Sequence, residues 1–547
     1  MTSETRKELS RREILKAAAR VAPLCLGIGV PKLLHSAATH TPASYLLDLG
    51  AREVTQHIRE GDIKAEVYFS ALIQQCQDLK FLNGIASLDG SRMLETARAV
   101  DQARLRGETL GHAAGLPVAV KDQLAVAGYP AASGNPALKA YRPTRNAAIV
   151  DALVKAGAVA FAKTTCPNMT GNSSLAAQED SYSPAYGVVR NPYDPDRMAG
   201  GSSGGNGVAL ASRMVPAALG EDTNGSVRVP AAFCGIAALR PSTYTLDNAL
   251  HGTKRKRYSD DGFVISATRL DTIGPMARTV ADVAFLDELI TGERAPSFAI
   301  NGVRIAIPRS GYWDQEWVDP DVAKATQDAF AKLREAGAHL VEIDYVGLQS
   351  TVGSLHGLSA MAIAAQQLHA EPDPPDTLTK WLSTNMPQVT VDQFNGVPVS
   401  TQERRYGKVP DLSIEQQTRL LQECAHKYQE IFRSNNVLAI AAPTVPVLPQ
   451  IFTPGGSTDF ETIRVKGKTL DRGWVIIAQT IIAPRYGAPA LSLPVALAQG
   501  LPVGLELTGL PGKDTQILGL GIAVEKVLGR LPQPNPIHPL VRSPANR

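Results

Sequence analysis

Cysteine is scarce in this sequence, with five among 547 residues, and no two of them are spaced as Cys-x-x-Cys. Nor does any cysteine stand at the spacing from a histidine that structural zinc sites use. We therefore predict that the chain has no metal site. Four cysteines lie beyond the N-terminal segment and are predicted to be free, buried thiols, namely Cys76, Cys166, Cys234 and Cys424.

An excess of basic charge is also missing. The chain holds 55 Lys and Arg and 52 Asp and Glu, of which seven and three lie in residues 1–38. The remaining 48 basic and 49 acidic residues almost balance, so the sequence has no basic stripe of the kind that binds nucleic acid. The short run KRKR at residues 254–257 is more typical of a solvated loop. We expect no nucleic-acid partner.

No hydrophobic run is long and clean enough for a membrane anchor, because the apolar stretch near the N-terminus is interrupted by Arg20 and Pro31. This stretch follows Arg11 and Arg12 and ends in small residues, which is the order of a twin-arginine export signal. We predict that residues 1–38 direct export to the periplasm or another compartment outside the cytoplasm, without stable membrane insertion. An amphipathic first helix with a chance arginine pair is the alternative interpretation.

Helix and strand patterns alternate along the rest of the chain. Helical periodicity over residues 146–156 ends at Gly157 and is followed by a short apolar strand. The same order recurs after Asp319, which is predicted to cap a helix that ends at Gly337. Repeated helix–strand units predict an α/β fold in one large domain. The stretch 371–412 begins with EPDPPD and is predicted to be an irregular insert or lid.

The segment MAGGSSGGNGVAL, residues 198–210, places two serines between pairs of glycines. It lacks the lysine of a phosphate-binding P-loop, and no strand pattern precedes it as in a dinucleotide-binding fingerprint. Residues 201–205 also match GxSxG, the nucleophile elbow of α/β-hydrolases. That elbow needs a preceding strand as well, and here the preceding segment is rich in proline and aspartate. None of these three loop types is therefore predicted.

Two further segments suggest serine chemistry. Ser226 follows Asn224 and Gly225, residue types that tolerate unusual backbone angles, so successive amides can converge beside its hydroxyl as an oxyanion hole. Lys121 ends a short apolar run, where the loss of solvation favours its neutral form and suits it to act as a base. A Ser–Lys pair is an alternative to Ser-His-Asp. Taken singly, a serine in a turn and a lysine at a strand end are ordinary structural residues.

In combination, these segments resemble the amidase signature family. The resemblance is carried by LPVAVKD at residues 116–122, the glycine–serine loop, DTNGSVRVPAAFCG at 222–235 and GAPALSLPVALAQGLPVGLELTG at 487–509, in the family's order. It covers residues 45–530 and leaves 531–547 as a C-terminal tail. The resemblance implies an α/β fold, a single amidase-signature domain whose central mixed β-sheet is covered by helices on both faces.

The resemblance also implies a Ser–cisSer–Lys triad. Ser226 matches the nucleophile, Ser202 matches the bridging serine next to a cis peptide bond, and Lys121 matches the base. No metal or organic cofactor is implied. The implied supporting residues surround the triad: oxyanion-hole amides at Thr223, Asn224, Gly225 and Ser226, a loop-supporting hydroxyl at Ser203, and a structural ion pair of Asp222 and Arg228. Asn224 departs from the family pattern, in which glycine is commonest at this position.

The function implied is that of a serine amidohydrolase, which cleaves a carboxamide C–N bond through an acyl-enzyme. The segments 228–242 and 269–292 are most similar to members acting on mandelamide and indoleacetamide, so we expect a small aryl or arylalkyl amide as substrate and release of ammonia or an amine. Family members are often dimers, which makes a homodimer one expected assembly. Several aromatic side chains are candidates for a substrate pocket: Tyr129, Tyr141, Tyr182 and Trp381.

Two other functions use the same scaffold. An aminoacyl-tRNA amidotransferase subunit shares the motif, but the predicted export signal and the balanced charge argue against it. A non-catalytic envelope binding protein is the alternative from a different class. The intact set of Lys121, Ser202 and Ser226 argues against that alternative, because a protein without catalytic activity need not retain all three.

Overall fold

The protein is described by a computed structural model that covers residues 42–167, 181–243, 256–259, 261–262, 271–346, 414–452 and 462–536. The predicted export signal, the predicted insert at 371–412 and most of the predicted tail lie outside these residues and stay predictions. Within the described ranges, no helix combines the length and the apolar character needed to cross a bilayer.

One mixed β-sheet of eleven strands organises the described chain, in the order β1-β3-β2-β6-β8-β7-β14-β15-β11-β9-β10. The pairs β2–β3, β2–β6, β9–β10 and β9–β11 are parallel, and the other neighbours are antiparallel. The strands are β1 (Ile85–Ser87), β2 (Pro117–Lys121), β3 (Val159–Thr164), β4 (Tyr182–Ser183), β5 (Gly187–Val188), β6 (Ala217–Asp222), β7 (Ala237–Arg240), β8 (Thr272–Ala277), β9 (Arg304–Pro308), β10 (His339–Ile343), β11 (Ala439–Pro443), β12 (Thr462–Val465), β13 (Lys468–Asp471), β14 (Ala490–Ala498) and β15 (Leu501–Thr508).

Helices connect and cover these strands. In chain order they are α1 (Pro42–Asp48), α2 (Ala51–Glu60), α3 (Ala65–Asp78), α4 (Gly90–Leu105), α5 (Ala148–Lys155), α6 (Gly204–Ala211), α7 (Arg228–Cys234), α8 (Val280–Thr291), α9 (Ser310–Trp313), α10 (Pro320–Glu335), α11 (Ile414–Asn435), α12 (Arg472–Ile477), α13 (Ile482–Tyr486) and α14 (Asp514–Leu528).

The predicted helix boundaries are confirmed where the local chemistry defines them. The side chain of Asp319 accepts the amides of Asp321 and Val322 at 2.8 and 3.4 Å, which satisfies two donors that the first turn of α10 leaves open. Pro320 occupies the first position of this helix, and Gly337 follows its end with a φ of +94°. The two predicted helix–strand pairs are α5–β3 and α10–β10, and α11–β11 follows the same order.

Alternation along β14 and β15 separates the two faces of the sheet. Leu491 and Leu493 join a buried cluster with side chains of α10 and α14 on one face. Glu506 points to the other face, where Gly504 lies so close to α7 that a Cβ there would be 2.9 Å from Ala232 Cα. Helices therefore cover both faces, which confirms the predicted α/β fold with its central mixed sheet.

We predict that Leu493→Ala destabilises the protein by about 2–5 kcal/mol, because it removes a buried side chain and leaves a cavity under α10 and α14. Leu497→Ala in the same strand is the control, since Leu497 is 37% exposed, and it is expected to change stability by about 0.5 kcal/mol or less. Urea unfolding followed by circular dichroism measures both. Equal unfolding midpoints for the two variants would contradict the assignment of the buried face.

Candidate active site

Two neighbouring parallel strands end at the site. β2 ends at Lys121 and β6 at Asp222, and their register pairs Val118 with Ala217. Because parallel strands end at the same edge of a sheet, the loops that follow β2 and β6 meet there. The sheet order thus brings the lysine and the segment that carries Ser226 together, although about 100 residues separate them in sequence.

Lys121 and Ser202 are in direct contact. The side-chain nitrogen Nζ of Lys121 donates to Ser202 Oγ at 2.6 Å, and both side chains are buried. The peptide bond between Gly201 and Ser202 is cis, as the family resemblance implies. In the described residues before this loop, from 189 to 201, no strand leads into it, which is consistent with rejecting the nucleophile elbow and the dinucleotide fingerprint.

Ser226 is the accessible member of the predicted triad, because its side chain is partly exposed whereas Lys121 and Ser202 are buried. The backbone amide of Ser203 donates to the carbonyl oxygen of Ser226 at 2.9 Å, which ties the two serine loops together. No hydrogen bond among the described residues joins the hydroxyls of Ser202 and Ser226. Catalytic hydrogen bonds are often long in unliganded enzymes and shorten when substrate binds.

Ser203 fastens the glycine–serine loop to the end of β6. Its hydroxyl donates to the carbonyl oxygen of Glu221 at 3.2 Å and accepts the amide of Glu221 at 3.3 Å. The loop also runs against β3, where the amide of Gly205 donates to the Thr165 carbonyl oxygen at 3.0 Å. A Cβ at Gly205 would lie 2.6 Å from the carbonyl oxygen of Gly84, so this close approach requires glycine.

The carboxylate of Asp222 holds the turn that carries Ser226. It accepts the amides of Gly225 and Val227 at 3.0 and 3.2 Å. Arg228 donates to both of its oxygens, at 2.9 and 3.0 Å, and Arg240 adds a third contact at 3.0 Å. Burial by itself raises the pKa of the Asp222 carboxyl. The two guanidinium groups and the backbone hydrogen bonds outweigh burial and hold this pKa well below its usual range.

The ion pair of Asp222 and Arg228 continues into the sheet. Arg228 Nη1 donates to both carboxylate oxygens of Glu506 in β15, at 3.0 and 2.9 Å, and all three side chains are buried. The sequence motif predicts Asp222 and Arg228 as an ion pair, but it points to neither Arg240 nor Glu506. Glu506 lies 278 positions from Arg228, and no local spacing reports a contact across that separation.

In the turn at residues 223–226, one backbone amide donates a hydrogen bond to another described residue. Gly225 donates its amide to Asp222, with a φ of +129°, a region that favours glycine. The amides of Thr223, Asn224 and Ser226 have no acceptor among the described residues. They are therefore the members of the predicted oxyanion hole that remain available to a substrate oxygen.

Two residues of the α12–α13 region clamp this turn from outside. The hydroxyl of Thr480 donates to the carbonyl oxygen of Asn224, and Arg485 Nη1 donates to the side-chain oxygen of Asn224 at 3.3 Å. The asparagine that departs from the family pattern thus has an internal partner. A Cβ on Gly225 would lie 2.7 Å from Thr480 Cβ, so the clamp also requires glycine at this position.

Glu221 is a site residue that sequence reasoning missed. Its carboxylate oxygen Oε2 accepts from Lys121 Nζ at 2.8 Å, and its Oε1 accepts from the Thr223 hydroxyl at 2.7 Å. Lys121 and Glu221 are both fully buried. The expected burial of Lys121 is confirmed, but the base has a carboxylate partner. The acidic residue itself was visible beside Asp222, whereas its pairing with β2 was not.

Other buried reactive groups near the site have structural partners. Lys163 donates to the backbone carbonyls of Asp122, Leu124 and Pro130, and burial lowers its pKa to about 8. Burial raises the pKa of the Cys166 thiol to about 12, so this cysteine is not a competing nucleophile at neutral pH. Cys76, Cys166 and Cys234 are free and buried, as predicted.

The structure describes three of the four aromatic side chains that the sequence offers for a substrate pocket. Tyr129 is buried in the core and donates its hydroxyl to the Phe161 carbonyl oxygen at 3.1 Å, whereas Tyr141 and Tyr182 are about one-third exposed. Trp381 lies outside the described residues. In the described part of the chain, the one group of side chains compact enough to hold a metal is at the surface and shares no residue with the site: His57, Glu60 and Asp62.

Comparison with known proteins identifies relatives along almost the whole chain. The family model described as Amidase matches residues 69–518. Mandelamide hydrolase of Pseudomonas putida is 32% identical over 90% of this chain and 93% of its own length. One subunit of the glutamyl-tRNA(Gln) amidotransferase of Chloroflexus aurantiacus is 31% identical over 79% and 87%. Indoleacetamide hydrolase of Rhizobium radiobacter is 30% identical over 87% and 96%.

A solved amidase structure shows the same fold. It superimposes with a TM-score of 0.72 and 26% sequence identity, and the match covers 88% of this chain and all of the other chain.

We predict that Gly225→Ala lowers the rate at which a fluorophosphonate labels Ser226 by about 100-fold or more, because the added Cβ meets Thr480 and displaces the turn. Gly467→Ala is the matched control. Gly467 also has a positive φ, +77°, but a Cβ there has no heavy atom within 4 Å. The control is expected to label at the wild-type rate, and similar losses in both variants would mean that the effect of Gly225→Ala is not specific to the turn at Ser226.

We also predict that Asp222→Asn destabilises the protein at neutral pH by about 3–5 kcal/mol, since it breaks a buried charge pair. The pKa of Asp222 is lower in the folded protein than in the unfolded chain, where it is about 4. The carboxylate therefore stabilises the folded protein fully above that pH, and this stabilisation is lost as the pH falls further. The difference in urea midpoint between wild type and variant should therefore be constant from pH 7 to pH 5 and should narrow as the pH falls below about 4. Asp328→Asn, at an exposed ion pair, should show no such difference. A difference in urea midpoint between the wild type and Asp222→Asn that does not change with pH would contradict this prediction.

Proposed function

The chain belongs to the amidase signature family and is an amide hydrolase, and on that premise we propose that it cleaves small aryl or arylalkyl amides through an acyl-enzyme on Ser226. The observation that carries the proposal is the 2.6 Å hydrogen bond from Lys121 Nζ to Ser202 Oγ beside a partly exposed Ser226. A buried base and an accessible hydroxyl are what a serine nucleophile needs.

The proposed relay has two proton transfers. Neutral Lys121 takes a proton from the Ser202 hydroxyl, and Ser202 takes one from Ser226 Oγ. Ser226 Oγ forms a bond to the amide carbonyl carbon, and the π electrons of the carbonyl move onto its oxygen. The direct contact of Lys121 with Ser202 and the backbone hydrogen bond between Ser203 and Ser226 support this order.

The negative oxygen of the tetrahedral intermediate needs hydrogen-bond donors that are already oriented. The amides of Thr223, Asn224 and Ser226 supply them in this proposal, since Asp222 and Thr480 fix the turn before substrate arrives. The relay then returns the proton to the leaving nitrogen, the C–N bond breaks, and ammonia or an amine departs. Water, activated by the same relay, hydrolyses the ester on Ser226.

The substrate class is proposed from the relatives. Enzymes named for mandelamide and indoleacetamide are 32% and 30% identical over most of their own length, and both substrates are primary amides with an aromatic group. An amidotransferase chain of similar identity is also among the relatives, so likeness alone does not select the hydrolases. The near-balanced charge beyond residue 38 gives no overall excess of basic residues for binding tRNA and favours the small amide.

We predict that the purified protein releases ammonia from phenylacetamide, mandelamide or indoleacetamide and that Ser226→Ala abolishes this release. Lys121→Ala and Ser202→Ala should each lower the rate by orders of magnitude, because each interrupts the relay. Ser212→Ala is the matched control. It removes a buried serine hydroxyl just after α6, whose oxygen has no partner among the described residues, and should retain activity.

The panel of compounds to be tested holds these three amides and also a C-terminal peptide amide, an acyl anilide and an aryl carbamate. Arylamine release from the anilide or carbamate alone would keep the triad and overturn the substrate class. Near-normal turnover in Ser226→Ala would overturn the nucleophile. A wild-type protein that hydrolyses nothing and whose Ser226 is not labelled by a fluorophosphonate would favour the non-catalytic binding protein.

A further inference from the structure

We infer that Glu221 is a fourth member of the proton relay, a positioning residue whose carboxylate stabilises the ammonium ion that Lys121 forms when it takes the proton of Ser202. The inference rests on the proposed function, because it assigns a role within the same Lys121–Ser202–Ser226 relay. Glu221 acts through Lys121 and is not placed against substrate.

The geometry confines Glu221 to this role. Lys121 Nζ lies between two acceptors, Ser202 Oγ at 2.6 Å and Glu221 Oε2 at 2.8 Å. The second carboxylate oxygen is held by the Thr223 hydroxyl at 2.7 Å, so the carboxylate has a fixed orientation. Lys121 and Glu221 are both fully buried, and water therefore does not screen their attraction.

The neighbouring carboxylate, that of Asp222, has a different set of hydrogen-bond donors. Asp222 accepts from Arg228, Arg240 and two backbone amides, whereas Glu221 accepts from Lys121 and Thr223. Adjacent residues of a strand point to opposite faces, which separates the two acids. One acid holds the turn that carries the nucleophile, and the other holds the base.

The charge balance explains what the carboxylate does. Before reaction, a neutral Lys121 amine beside ionised Glu221 carries a net charge of −1. When Lys121 accepts the proton that Ser226 loses through Ser202, the pair becomes a neutral ion pair and the negative charge appears on the oxyanion. A carboxylate within hydrogen-bond distance favours the cation formed in this step, as the buried aspartate of Ser-His-Asp hydrolases favours the imidazolium.

A lysine acts as a base only while its amine is neutral, so the proposed relay gives activity an acid limb in its pH profile. Removing the charge of Glu221 should move this limb to lower pH and also lower the maximal rate. A substitution of Glu221 leaves in place the other ionisable residues around Lys121 and Glu221, which are Asp122, Lys163, Cys166, Asp222, Arg228 and Arg240.

The test is the pH dependence of the rate at which a fluorophosphonate with an aryl leaving group labels Ser226, which requires no identified substrate. Glu221→Gln keeps the shape and the hydrogen-bonding oxygen but loses the charge. Glu221→Asp keeps the charge at a greater distance and serves if the first variant does not fold. Glu525→Gln is the matched control, because Glu525 is another largely buried glutamate, bonded to the amide of Val280 and outside the site, and burial raises its pKa to about 6.

We expect Glu221→Gln to label about 10- to 100-fold more slowly at its optimum, with the acid limb moved to lower pH by about one unit or more. The limb of Glu221→Asp should lie between those of the wild type and Glu221→Gln. Glu525→Gln should have the limb of the wild type.

Three results would overturn the inference. An acid limb in Glu221→Gln at the wild-type pH, with or without a uniform loss of rate, would make Glu221 merely structural. An unmoved limb in Glu221→Asp would do the same if Glu221→Gln does not fold. A wild-type protein whose Ser226 is never labelled would overturn the relay as well. Labelling with the expected shift, but without hydrolysis of any amide in the panel, would support Glu221 and reject only the proposed substrate class.

Discussion

The site depends on one buried interaction, the carboxylate of Asp222 enclosed by two guanidinium groups and two backbone amides. Each partner alone would be costly to bury, so the group persists only when all of its members are in place. Because those members come from β6, from the turn itself, from α7 and from β7, the conformation of the turn that carries Ser226 depends on how these elements pack. Contacts at the end of the sheet therefore hold the turn on which Ser226 lies.

The order of the strands gives the two acidic residues at the end of β6, Glu221 and Asp222, different partners. β6 lies beside β2 in parallel, which brings Glu221 to Lys121, while Asp222 meets α7. Glu506 of β15 extends the Asp222 network toward the far half of the sheet. A substitution in β15 can therefore disturb the turn at Ser226 without touching a predicted triad residue, and stability and activity are coupled in this region.

Close approach of the chain to itself accounts for the glycines of the two serine loops. Gly205 lies against the carbonyl oxygen of Gly84, and Gly225 lies against Thr480. The first contact brings a residue of the N-terminal third onto the glycine–serine loop, and the second brings the α12–α13 region onto the turn at 223–226. The glycines of the site are therefore a consequence of how tightly distant segments pack, in addition to the backbone angles that they adopt.

The sequence by itself determined the alternation of helices and strands, the cap at Asp319, and the segments that hold Lys121, Ser202 and Ser226. These features depend on neighbours within a few residues or on a recognisable motif, and the structure placed the lysine beside Ser202. Only the tertiary structure decided the pairing of Lys121 with Glu221, the pairing of Arg228 with Glu506, and the clamp of Thr480 on Asn224. Contacts across 100 to 278 positions follow from strand order and helix packing, which no local spacing encodes.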